Sequence, residues 1–168
     1  TSDSNADRKS DILWYDPATK RLTLWQMNAL AASPLLVSSS ASASWVPVAY
    51  TDVNGDNRAD IVFHRMTGTK TLIAVWLMDG ATRLSTTTTT LNGLYPEAFV
   101  GPVLAANAKN LVLRRNNGAV YTANFSGGAI VGMARVLNAV GGIEPAAPAS
   151  HKIQGVVDVT GDGLADIV

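Results

Sequence analysis

Nine of the eleven aspartates fall in three short windows: Asp3, Asp7 and Asp11; Asp52, Asp56 and Asp60; Asp158, Asp162 and Asp166. In each window the acids are spaced four and then four. Carboxylates crowded this way repel one another unless a cation neutralises them. Asp, Asn and Gly also favour ordinary polar turns, but three windows in one register speak for a shared ligand. Gly55 and Gly161 stand at the fourth place of their loops and Gly163 at the sixth. Those are places where a chain curling round an ion needs unusual backbone angles. Calcium takes roughly six to eight oxygen ligands at flexible geometry, backbone carbonyls included, whereas magnesium keeps more water. In "DVNGDNRAD" the side chains of Asp52, Asn54, Asp56 and Asp60 and the carbonyl of Arg58 offer such a set.

The elements that would hold this loop are strands. An EF-hand places Glu at its twelfth position, before a helix. Here the twelfth place is Phe63, and the chain continues "IVFHRMTGTKTLIAVWLMDG". A dockerin module opens with a similar loop but also continues into a helix. The run after Asp60 reads instead as strand, Gly turn, strand and Asp-Gly turn.

The pattern repeats. "SDILWYDPATKRLTLWQMNA" aligns with "ADIVFHRMTGTKTLIAVWLMDG", matching Asp11 to Asp60, Trp25 to Trp76 and Met27 to Met78. A worn third copy, "NLVLRRNNGAVYTANFSGG", keeps the strands but has "AANAKN" where the acids should be. A fourth begins at Asp158 and reaches "DIV". The intervals Asp11–Asp60, Asp60–Asn110 and Asn110–Asp166 are 49, 50 and 56 residues. Such a period marks a repeat architecture. The units expected are about 11–59, 60–109, 110–165 and a start at 166–168, each of about four strands. "PLLVS" and "WVPVAY" supply the last two strands of the first unit.

With "DxNGDxxxDI" leading into the first strand and a "W-x-M-[ND]-G" phrase closing the second, the chain resembles the FG-GAP/VCBS repeat family over nearly its whole length. That resemblance implies an all-β fold of β-propeller-type blades, four antiparallel strands each, with about three blades here. Three blades do not easily close a ring, so a larger propeller or assembly of copies is expected. It also implies calcium in each intact loop. The ligands carried over are Asp52, Asn54, Asp56, the Arg58 carbonyl and Asp60. In the last loop they are Asp158, Thr160, Asp162, the Leu164 carbonyl and Asp166. In the first they are Asp3, Asn5, Asp7, the Lys9 carbonyl and Asp11. Thr160 and Ala6 depart from the family pattern. The middle loop is expected to bind best, the Asp158 loop next, and the Asp3 loop least. Ala6 resists the angles glycine allows, and chain starts fray.

The 168 residues suffice for one domain with a sizeable core. Thirteen basic residues balance thirteen acidic ones, leaving no field for nucleic acid and no basic block for a membrane surface. No apolar run approaches the roughly 20 residues that span a bilayer. The absence of cysteine excludes disulfides and zinc or redox thiol sites. Beginning at Thr1, the chain reads as a processed or excised piece. No enzyme is expected: His64, His151, Glu97 and Glu144 are scattered, and neither a nucleophile elbow nor a phosphate loop occurs. His64 is expected to face a neighbouring blade or solvent. Trp14, Trp25, Trp45 and Trp76 could stack on sugars, although recurrence of Trp25 and Trp76 favours packing between blades. The run Ser85–Thr90 reads as a polar loop or short edge strand, and "NFS" at Asn124 is a glycosylation sequon. Two functions fit: an extracellular recognition or adhesion module for a protein or carbohydrate, or a structural subunit of a surface assembly.

Overall fold

The computed structural model describes residues 2–37, 44–106, 108–137, 148 and 150–168. Among them every regular element is a β-strand and no helix forms. The β-branched and aromatic runs explain this, because they pack well on a pleated surface. The turns between them carry residues that tolerate positive φ. Lys20 (φ 59°), Gly68 (φ 55°) and Gly80 (φ 59°) each sit in a hairpin bend. In the first of these, the Asp16 carboxylate also accepts the amides of Ala18 and Thr19 and the Thr19 hydroxyl.

Among the described residues four antiparallel sheets result. The first runs β1 (Ile12–Asp16), β2 (Arg21–Asn28), β3 (Ala31–Leu36). The second runs β4 (Val46–Thr51), β5 (Asp60–Thr67), β6 (Lys70–Asp79), β7 (Thr82–Asn92). The third contains β8 (Glu97–Gly101), β9 (Asn110–Arg114), β10 (Val120–Ser126), β11 (Ala129–Arg135), and the fourth pairs β12 (Val156–Val157) with β13 (Asp166–Ile167).

The sheets do not share the phase of the sequence units. Val46–Thr51, expected as the last strand of the first unit, opens the second sheet by pairing Thr51 with Asp60 and Tyr50 with Ile61. The same holds for Gly101 with Asn110 and for Val157 with Asp166. The nine-residue aspartate loop is therefore the connection between the first two strands of a sheet. Among the described residues, sheets two and three have four strands each, the first three and the last two. Ser85–Thr90 lies inside β7, an edge strand of 11 residues, longer than expected.

The chain divides into two compact units, Thr1–Arg65 with Leu72–Thr90 and Gly127–Ala129, and Met66–Thr71 with Leu91–Ser126 and Ile130–Val168. In the first unit, Leu22 and Leu24 of β2 and Val37 pack with Ile61 and Phe63 of β5 and Ala74, Trp76 and Met78 of β6. Leu13, Tyr15, Trp45 and Tyr50 close the margin. Burying each such side chain is worth about 1.5–3 kcal/mol. Trp76 thus meets the expectation of core packing, at 7% exposure; its counterpart Trp25 does not, at 36%. In the second unit, Leu111, Val112 and Leu113 of β9 are fully buried. Gly101 of β8 lies so close to Val156 that a Cβ there would stand 2.6 Å from Val156 Cγ1. Arg114 is buried in an ion pair with Glu97 at 3.3 Å and donates to the Pro148 carbonyl at 2.9 Å. The amide of Ile153 donates to the other Glu97 oxygen at 2.8 Å.

Candidate metal centres

All three aspartate loops share two left-handed places. The fourth and sixth places are left-handed in each: Ala6 (61°) and Arg8 (67°), Gly55 (87°) and Asn57 (66°), Gly161 (80°) and Gly163 (84°). Ala6 was expected to resist these angles; it adopts them, at the cost that a Cβ brings in this region. The bend turns successive amides inward, and the first carboxylate collects them. Asp3 accepts from Asn5, Asp7 and Arg8. Asp52 accepts from Asn54, Gly55 and Asn57, and Asp158 from Gly161 and Gly163. Those two glycine amides hold the Asp158 carboxyl below the usual carboxylate range.

The later places repeat as well. The third-place amide oxygens of Asn5 and Asn54 accept from Asp7 and Asp56. Thr160 offers only a hydroxyl, 3.5 Å from oxygens of both Asp158 and Asp166. The fifth-place acids Asp7, Asp56 and Asp162 accept the amides of Lys9, Arg58 and Leu164, at 2.9, 2.8 and 2.8 Å. This fixes the three residues whose carbonyls were expected as ligands.

The ninth-place acid straps the loop to its sheet. Asp11, Asp60 and Asp166 each accept the second-place amide, from Ser4, Val53 and Val159. The other oxygen of Asp11 accepts the Met27 amide, and that of Asp60 the Met78 amide. Asp60 is fully buried, and burial pushes its carboxyl up to about 6. The Val53 and Met78 amides oppose that rise, while Asp56 and Asp52 add to it. In the worn third copy Asn110 keeps the strap without charge. Its Oδ1 accepts the Leu104 amide at 2.9 Å and its Nδ2 donates to Asn124 Oδ1 at 2.8 Å. The sequence signal for this was the Asn at the alignment position of Asp11 and Asp60.

The first loop is better anchored than its place near the chain start suggests. Asp3 and Ser4 are buried. The Asp3 and Ser4 carbonyls accept from Ala59 and Gly80, and Gln26 donates to the Ser4 hydroxyl. Where the first two loops meet, Asp3, Ala6, Arg8 and Asn57 line a cleft of about 320 Å³. Arg58 is also tied by its side chain to Asp79.

The donor chemistry of carboxylates, amide oxygens and carbonyls on one curled segment suits a hard cation. The carboxylates point at amides, and among the described residues no group of three or more His, Cys, Asp or Glu side chains is gathered on one point. Of the scattered candidates for catalysis, His64 is buried on β5, and His151 is exposed with Nδ1 3.3 Å from the Ser150 hydroxyl. Glu97 serves Arg114, and Glu144 lies outside the described residues. Comparison of the chain with family models, curated proteins and solved structures gave no match.

Proposed function

We propose that this chain is a calcium-stabilised recognition module of FG-GAP/VCBS-like blades that acts outside the cell. The observation that carries the reading is the common backbone of the three loops, kept even where Ala6 and Arg8 must take left-handed angles. Polar turns of unrelated purpose have no reason to agree at both left-handed places and in the amides that their fifth- and ninth-place acids accept. The residues that would hold calcium are Asp52, Asn54, Asp56, Arg58 and Asp60, with their counterparts Asp158, Thr160, Asp162, Leu164 and Asp166, and Asp3, Asn5, Asp7, Lys9 and Asp11. A bound cation would supply neutralisation of clustered acids, and no bond making or breaking. The four-stranded sheets two and three suit propeller-type blades, and the loops joining their strands offer a surface for a protein or carbohydrate partner. Calcium sites of extracellular modules bind at about 10⁻⁴–10⁻³ M, a range met outside cells, and this supports the placement. We assign no catalytic role.

A second reading, a structural subunit of a surface assembly with calcium serving only stability, draws on the exposed tryptophans of the first sheet. Melting in calcium and in chelator tests the calcium reading. Calcium at about ten times Kd stabilises by roughly 1.4 kcal/mol per site. Asp56→Ala should therefore lower Tm in calcium and change little in chelator. Equal Tm for the wild-type chain in both conditions would make the loops polar turns.

A further inference from the structure

Left-handed backbone at residues other than glycine gathers at one place in this chain. Five such residues occur among the described ones: Ala6, Arg8, Lys20, Ala29 and Asn57. Three of them, Ala6, Arg8 and Asn57, line the cleft of about 320 Å³ between the first two aspartate loops. Arg8 and Asn57 hold the sixth place of their loops, where the last loop has Gly163. Glycine takes such angles without crowding a Cβ. The first two loops instead keep polar side chains there, and strained residues of this kind collect at ligand clamps. Both residues are exposed. Each donates its backbone amide to the first-place acid of its own loop. Among the described residues nothing binds the Arg8 guanidinium or the Asn57 carboxamide. The other cations of these loops are committed: Lys9 lies 3.7 Å from Asp7 and donates to Asn28, and Arg58 is tied to Asp79. The lining acid, Asp3, is buried and accepts the amides of Asn5, Asp7 and Arg8 within its own loop.

We propose that this cleft receives an acidic side chain of a protein partner, with Arg8 as its anchor. A guanidinium offers a planar fork of donors that matches a carboxylate, and the Asn57 carboxamide adds a donor from the second loop. The cleft's volume of about 320 Å³ lies at the small end of the roughly 300–1,000 Å³ of ligand sites. It suits one side chain. None of the four lining residues carries an aromatic ring on which a sugar could stack, and that favours a peptide carboxylate over an acidic sugar. The inference rests on the calcium reading for its charge balance. Asp3, Asp7 and Asp11 in one loop and Asp52, Asp56 and Asp60 in the other repel an incoming carboxylate unless cations offset them. With both loops loaded, Arg8 is the uncommitted charge at the cleft, and its sign is complementary to the partner's acid. The acid is therefore held only where calcium is plentiful.

The test is a titration of the chain with acetyl-Gly-Glu-Gly-amide in calcium, followed by the NMR signals of the Arg8 Nε–H and the Asn57 carboxamide. Both should shift saturably, with Kd of about 1 mM. The uncharged acetyl-Gly-Gln-Gly-amide should bind at least roughly tenfold more weakly, and chelator should abolish binding of the Glu peptide. Arg8→Gly should lose affinity at least roughly tenfold yet melt no lower than the wild-type chain, because φ 67° suits glycine. A residue kept only for the fold would do the reverse. Lys20→Gly, also left-handed but outside the cleft lining, should leave binding unchanged. If Tm responds to calcium and the Glu peptide does not bind, this proposal fails and the calcium reading stands. If Tm ignores calcium, the calcium reading fails and this proposal with it. Equal binding in chelator, or glucuronate binding as tightly as the Glu peptide, also overturns the proposal.

Discussion

Replacing Ala6 by glycine should stabilise the chain, although it removes a methyl group and adds freedom to the unfolded state. Ala6 stands at φ 61°, where a Cβ crowds the following carbonyl at a cost of about 1–2 kcal/mol. Glycine removes that cost. Against it, a glycine loses about 0.4–1 kcal/mol more backbone entropy on folding than alanine. The difference leaves a gain of about 0.5–1 kcal/mol. For a chain of this length, about 1 kcal/mol moves Tm by about 2–4 °C. The reciprocal change, Gly55→Ala, begins at φ 87° with no atom within 4 Å of the new Cβ. Its cost is therefore conformational alone and of the same size with the opposite sign. Both variants should be melted in chelator by circular dichroism, so that ion affinity does not enter. A lower Tm for Ala6→Gly, or a neutral Gly55→Ala, would refute the reasoning that these places are held left-handed.

Two further outcomes are expected. Asp60, raised by burial to about 6 from its ordinary 3.8, keeps its proton in the folded state after the unfolded chain has lost it. The folded state then binds more protons between about pH 4 and 6, so this group lowers stability as pH rises through that window. Melting against pH in chelator should show that fall, and Asp60→Asn should flatten it; an unchanged profile in the variant would place the titration elsewhere. Gly101→Ala should destabilise by about 1–3 kcal/mol through overpacking against Val156, and adding Val156→Ala should recover part of that loss in denaturant melts. Strict additivity of the two changes would show that the contact is not made.

The aspartate spacing of four and four, the glycines at the turns and the β-branched runs were legible in the chain as written, because each acts within a few residues. They establish strands, hairpins and three loops of one kind. The Asn110 strap was equally visible in outline, since an amide at the position of Asp11 and Asp60 keeps an oxygen to accept and only loses the charge. Three matters needed the tertiary structure. The loop's place inside a sheet follows from Tyr50 pairing with Ile61, and pairing across a loop is not a property of either strand alone. Ala6 disfavours the left-handed region by itself, yet the buried Asp3 and Ser4 and their bonds to Ala59 and Gly80 hold the loop in it. Trp25 and Trp76 stand in the same local phrase with opposite burial. Burial depends on whether a second sheet covers the face, and that is a matter of three-dimensional neighbours rather than of pattern.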